Sequence, residues 1–245
     1  GNVEREVHHH FGDVGEGFAV ADLVREEQFC CAEINHAQIE PHASLADFDP
    51  LTGRLTVQTV SQVGYYLHLM LARCLDIESS QIRVIKPFIG GGFGARVEAL
   101  NFEIVTALLA RAAAGKVMMQ LTREETFITH RARPQTDMRL KLGMSKNGRL
   151  TACELQVVQR GGAYAGYGII TILYAGSLLH GLYDIPAAKY DGYRVYANLP
   201  PCGAMRGHGS VDTRYAFECL VDRMARELGL DPFAVRRANL LQAPT

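Results

Sequence analysis

The residues with the most chemical meaning are Gly90-Gly91-Gly92-Phe93-Gly94-Ala95-Arg96, in which four of the first five positions are glycine. A run with so few side chains lets the backbone itself approach a partner closely. Its N–H groups then become donors aimed at one point, suited to an anionic or oxo group. A second loop of this kind, Ala204-Met205-Arg206-Gly207-His208-Gly209, lies far along the chain and again precedes a helical pattern. Two such loops imply one large polyanionic ligand held from two sides.

Simpler readings compete. Gly90-x-Gly92-x-x-Ala95 fits the relaxed G-x-G-x-x-G/A pattern of a dinucleotide site, after a strand and before a helix. Against it, Gly91 and bulky Phe93 crowd the tight turn and Pro87 interrupts the approach. No acidic residue ends a second strand about 20 positions on, where the ribose needs one; that position falls in a helical stretch around Ala112. The glycines also suit a strand–helix turn kept for packing alone. Gln62 suits a helix start, and Arg206 a pairing with Glu218 or a helix carbonyl. His8-His9-His10 fits a solvated strand or an expression remnant better than a metal site.

These residues need a scaffold, and hydrophobic periodicity outlines one. Strands are predicted over 18–22, 28–34, 54–60, 82–86, 116–121 and 189–197. Strands over 138–144 and 150–158 form a hairpin around Lys146-Asn147-Gly148, where Asn-Gly is a strong turn signal. Helices are predicted over 62–75 behind a Ser61 cap, over 97–114, over 211–228, and from Asp231-Pro232 through Leu241. On the first, Val63, Leu67, Met70 and Leu71 form the apolar stripe. The glycine- and aromatic-rich stretch 161–181 gives no clear assignment. The interleaving reads as α+β, with mixed sheets and packed helices. Residues 1–17 read as a tail or linker from a preceding domain, and 18–245 as one domain.

Composition removes several function classes. The 245-residue chain carries a formal net charge of −1, which favours neither nucleic acid nor an anionic membrane surface. No apolar run is long enough for a membrane span. Six cysteines without a CxxC pair argue against disulfide, zinc and iron–sulfur frameworks, and a reducing cytoplasm is the expected setting.

In order and separation, Gln62 after a strand, Gly91-Gly92-Phe93-Gly94, and Ala204 to Gly209 resemble three motifs of the molybdenum hydroxylase family, the xanthine dehydrogenase and aldehyde oxidoreductase group. The resemblance runs over nearly the whole chain and matches the first molybdopterin-binding domain of the large subunit. It implies a molybdopterin cofactor with molybdenum, in a cytosine dinucleotide form, held by Gln62, Gly91, Gly92, Phe93, Gly94 and Arg206. By that resemblance Gln62 hydrogen-bonds an oxo or hydroxo ligand. The backbone at Phe93 and Gly94 lies against an oxo group, and Arg206 braces the dithiolene side. Gln62, Phe93 and Arg206 would be neighbours of molybdenum, not ligands to it.

Within the family, purine-oxidising members carry Glu at the position of Val97 and Arg at that of Tyr174, and an aromatic residue where His208 stands. Val97, Tyr174 and His208 are therefore expected on the substrate side of a less charged pocket, unsuited to purines. The stretches Gly90–Glu103, Gln159–Gly168 and Leu179–Tyr193 resemble more closely the large subunit of 4-hydroxybenzoyl-CoA reductase. That implies reductive removal of a phenolic hydroxyl from an aromatic acyl-CoA, with Tyr174 or His208 giving a hydrogen bond or proton near the ring. A hydroxylase acting on an aromatic heterocycle or aldehyde is the alternative, and a non-catalytic partner- or cofactor-binding domain the third. The family also implies a general base in a second molybdopterin domain, and electrons passing through [2Fe–2S] clusters and FAD on partner subunits. The chain alone is then expected to be catalytically silent and to expose apolar docking surface.

Overall fold

The structure, a computed structural model, describes residues 1–129, 131–177 and 181–242. In chain order the elements are β1 (Val3–Phe11), α1 (Val14–Ala19), β2 (Leu23–Cys31), β3 (Ala43–Asp49), β4 (Arg54–Thr59), α2 (Gly64–Leu75), β5 (Ile82–Ile85), α3 (Asn101–Ala113), β6 (Lys116–Gln120), α4 (Arg123–Thr129), β7 (Thr136–Met144), β8 (Leu150–Gly162), α5 (Ile169–Ser177), β9 (Ala188–Tyr196), α6 (Ser210–Glu227) and α7 (Pro232–Asn239). They divide into two compact units. The first holds 1–34, 133–203 and the chain from 207 onward; the second holds 35–132 and 204–206. The fold is mixed α and β, as expected.

The first unit is built on a five-stranded sheet in the order β1-β9-β8-β7-β2. Its pairs are antiparallel except for parallel β8 and β9. Strand β7 buries Met138, Leu140, Leu142 and Met144, every second residue, which is the pattern of one covered sheet face. Helix α6 meets that core with Phe217, Leu220, Val221, Met224 and Ala225 at helical spacing. The β7–β8 hairpin closes as the Asn-Gly signal predicts: Gly148 takes a φ of +84°, and Ser145 N–H donates to Arg149 O at 2.9 Å.

Two expectations change here. Residues 1–17, read as a tail, supply β1, paired in register with β9, and most of α1. The strand expected over 18–22 gives way to the end of α1, because the Asp13 carboxylate caps that helix through Glu16 N–H. The last helix is capped as expected, with Asp231 accepting from Phe233 and Ala234 N–H. Leu179 and His180, part of one stretch quoted above, lie outside the described residues.

The second unit has a four-stranded sheet in the order β5-β4-β3-β6. Strands β4 and β5 are parallel, joined through α2. Helix α2 buries Leu67, Leu71 and Leu75 against Leu55 and Val57. Its apolar stripe is thus shifted from the predicted one: Met70 is exposed, together with Tyr65, Tyr66 and Leu69. Helix α3 begins at Asn101 rather than Val97. The cause is Glu103, whose carboxylate accepts the Leu100 N–H at 2.8 Å and so fixes the first turn.

Candidate functional site

The glycine turn and Gln62 meet in the second unit. Gln62 does not cap α2. Its Oε1 accepts from Gly94 N–H at 2.9 Å and from Arg96 N–H at 3.3 Å, while its own N–H donates to Arg96 O at 2.8 Å. Two backbone donors at Oε1 fix which end of the carboxamide is oxygen, so Nε2 is the outward end. Nε2 has no partner among the described residues, and Gln62 is exposed. The second loop arrives beside it: Arg206 N–H donates to Phe93 O at 2.7 Å. Gln62, Phe93 and Arg206 are therefore brought together.

The turn itself is shaped for close approach. Gly94 has a φ of +108°, and a Cβ there would collide with the Ala204 carbonyl. A Cβ on Gly92 would strike Gln62 Oε1. Phe93, not a glycine, is held at a φ of +53°, a conformation that costs an L-residue about 1 kcal/mol. The N–H groups of Gly91, Gly92 and Phe93 have no acceptor among the described residues. The donor set is thus Gln62 Nε2 and three consecutive backbone N–H groups, which suits an acceptor-rich oxo–metal group. Two sequence expectations are refined. The open donors belong to the turn and not to a helix N-terminus, since α3 starts only at Asn101. Gly94 N–H is taken by Gln62, so Phe93 N–H is the open one of that pair.

Sequence reasoning missed an irregular strap, residues 36–40, in the same unit. His36 Nε2 donates to Ala204 O at 2.7 Å. Glu40 Oε2 accepts Gly90 N–H at 2.9 Å and pairs with Arg96, 3.1 Å away and almost fully buried. Burial holds the Arg96 pKa below its ordinary value, against the pull of Glu40 and Glu103. The available signal was His36-x-Gln38-x-Glu40, polar residues at every second position in a segment whose burial alternates.

The substrate-side residues divide. Tyr174, on α5, and His208 lie in the first unit with ring centroids 5.0 Å apart, and Tyr167 meets His208 edge-on at 5.6 Å. Burial, and then the charge of Arg133, hold the His208 imidazole below its usual pKa, so it is neutral at pH 7. Val97 belongs to the second unit, half-buried just past the glycine turn. Glu218, suggested as a partner for Arg206, instead bonds Arg236 and Tyr183.

Comparison with known proteins then decides the family. A family described as the molybdopterin cofactor-binding domain matches residues 1–240. The chain belongs to that family. This molybdopterin-binding domain is of the molybdenum hydroxylase type. It is 34% identical over 242 residues to the nicotinate dehydrogenase large molybdopterin subunit of Eubacterium barkeri, covering 98% of this chain and 56% of that protein. It is 31% identical to the putative xanthine dehydrogenase molybdenum-binding subunit of Escherichia coli K12, covering 98% and 32%. Among solved structures, quinoline 2-oxidoreductase from Pseudomonas putida 86 superposes with a TM-score of 0.91 at 30% identity, covering 99% of this chain and 31% of that one. The molybdopterin-binding domain thus spans about a third to just over half the length of these relatives.

Proposed function

We propose that the domain holds one side of a molybdopterin centre in an oxidoreductase that hydroxylates an aromatic heterocycle. The observation that carries this is the Gln62 carboxamide, its oxygen pinned by Gly94 and Arg96 N–H to a turn whose Gly91, Gly92 and Phe93 N–H groups have no acceptor among the described residues. When bound, the cofactor supplies the oxygen-transfer and two-electron redox chemistry. Gln62 and the turn would hold it through hydrogen bonds to its acceptor atoms. Arg206, its backbone fixed by Phe93 O, would help to brace the cofactor beside the turn. Relatives named for nicotinate and quinoline support the heterocycle assignment.

A second reading is reductive dehydroxylation of 4-hydroxybenzoyl-CoA. Its support is the Tyr174–His208 pair, two groups with transferable protons placed together. A neutral His208 serves there as a hydrogen-bond partner, with Tyr174 the proton donor of the two. In both readings the general base comes from a second molybdopterin domain, and electrons pass through iron–sulfur and flavin partners. The exposed Tyr65, Tyr66, Leu69 and Met70 of α2 are the proposed docking surface. Metal analysis of the complete enzyme tests the shared claim, and failure to find molybdenum ends both readings. Turnover of quinoline or nicotinate with an artificial acceptor supports the first. Turnover of 4-hydroxybenzoyl-CoA with a low-potential donor, and none of the heterocycles, replaces it with the second.

A further inference from the structure

Gln38 is 99% buried, and among the described residues neither its Oε1 nor its Nε2 finds a hydrogen-bond partner. A buried carboxamide in that state is rare and calls for a reason. Its place is specific. The Gln38 Cβ lies directly under Gly91, 3.2 Å from where a Gly91 Cβ would stand. The segment around it is anchored on both sides, by His36 to Ala204 O and by Glu40 to Gly90 N–H. Arg123 holds its carbonyls, donating to Gln38 O at 2.7 Å and to Ile39 O.

The backbone is bent to bring this side chain inward. Four non-glycine residues among those described have positive φ: Ala37, Asp76, Phe93 and Ala114. Asp76 and Ala114 end α2 and α3, an ordinary use of that conformation. The other two, Ala37 at +51° and Phe93 at +53°, flank the contact between Gln38 and Gly91. Strain in the backbone and an unpaired buried amide thus coincide under the turn that carries the open N–H groups. Such coincidences cluster where a ligand completes the structure.

We infer that Gln38 is a positioning residue for the cofactor: its carboxamide completes its hydrogen bonds with the glycine-turn backbone only when that turn has closed on a bound molybdopterin. The inference rests on the molybdopterin reading. It predicts that Gln38 contributes nothing to the cofactor-free fold and much to cofactor retention.

The test uses Gln38→Leu, which keeps the stem and removes both polar atoms, in the complete enzyme purified with its cofactor. Molybdenum and pterin content are followed during dialysis, and amide exchange of Gly91–Gly94 is measured in loaded and stripped protein. Gln38→Leu is expected to lose pterin at least tenfold faster than wild type. Protection of Gly91–Gly94 should drop at least tenfold in the loaded form only, and the stripped form should melt no lower than wild type. Gln38→Met provides a second apolar variant if the leucine protein does not assemble. Equal retention and exchange in loaded variant and wild type overturns the inference. So does a lower melting point of the stripped variant, or failure of both variants to assemble, since each places Gln38 in the cofactor-free fold. Wild-type enzyme that carries no pterin removes the underlying function as well, a result distinct from equal retention.

Discussion

Gln62 holds the glycine turn with one end of its carboxamide and presents the other, so the two ends are separable by substitution. Gln62→Glu keeps an oxygen for Gly94 and Arg96 N–H but removes the outward donor. Its urea midpoint should stay close to wild type, while kcat of the complete enzyme falls on the order of 100-fold. Gln62→Leu strands both backbone donors and should cost about 1–3 kcal/mol by the same urea measurement. Behind the turn, Glu103 gives stability a pH dependence. Burial raises its carboxyl from 4.5 to about 7, against the hydrogen bonds from Leu100 and Thr59 and the charge of Arg96. Between those values the folded chain binds the proton that the unfolded chain has released, so stability falls as pH rises through the window and the loss is complete above it. Glu103→Gln should flatten this fall and be the more stable protein above pH 7, as urea midpoints between about pH 5 and 8 will read.

At the scale of elements, α3 shows how local chemistry sets boundaries. Its end is Ala114, held at φ 48° and ψ 46°, where glycine is the natural residue. Ala114→Gly should raise stability by about 0.5 kcal/mol or more, because the left-handed strain is relieved in a position that is already outside the helix. Thermal melting checks the direction. The same reasoning explains which elements could be read from sequence. The β7–β8 hairpin was legible because Asn147-Gly148 fixes both the turn and the register. Helix α6 was legible because its apolar residues repeat at helical spacing over 18 residues that contain neither Gly nor Pro. Strand β3 was not, since its assignment depends on pairing with β4 and β6, which sequence does not display. Helix α5 was hidden by Gly176 and the glycines just before it, and by a mostly apolar run without a clear period to detect. At the candidate site, the glycine turn stood out by residue type, and Gln62 and Arg206 by the order and spacing that resemble the family's motifs. The 36–40 strap was not legible, because its role comes from contacts with residues distant in sequence.

For the molecule as a whole, the candidate site residues divide between the two units. Each has its own sheet and its own apolar core. Gln62, the glycine turn, the strap and Ala204–Arg206 all belong to the second, whereas Tyr174 and His208 belong to the first. A ligand stabilises only the structure that it binds, by about 2.7 kcal/mol at a hundredfold excess over Kd. Stripping the cofactor should therefore speed amide exchange at Gly91–Gly94 and at Arg206, while the β7–β8 and α6 core keeps its protection. Hydrogen exchange with mass spectrometry on loaded and stripped enzyme reads both regions in one experiment. A cofactor seated on the glycine turn cannot leave that turn unchanged. If exchange instead rises in β7, β8 and α6 and stays constant at residues 91–94, the cradle described here is not where the pterin is held.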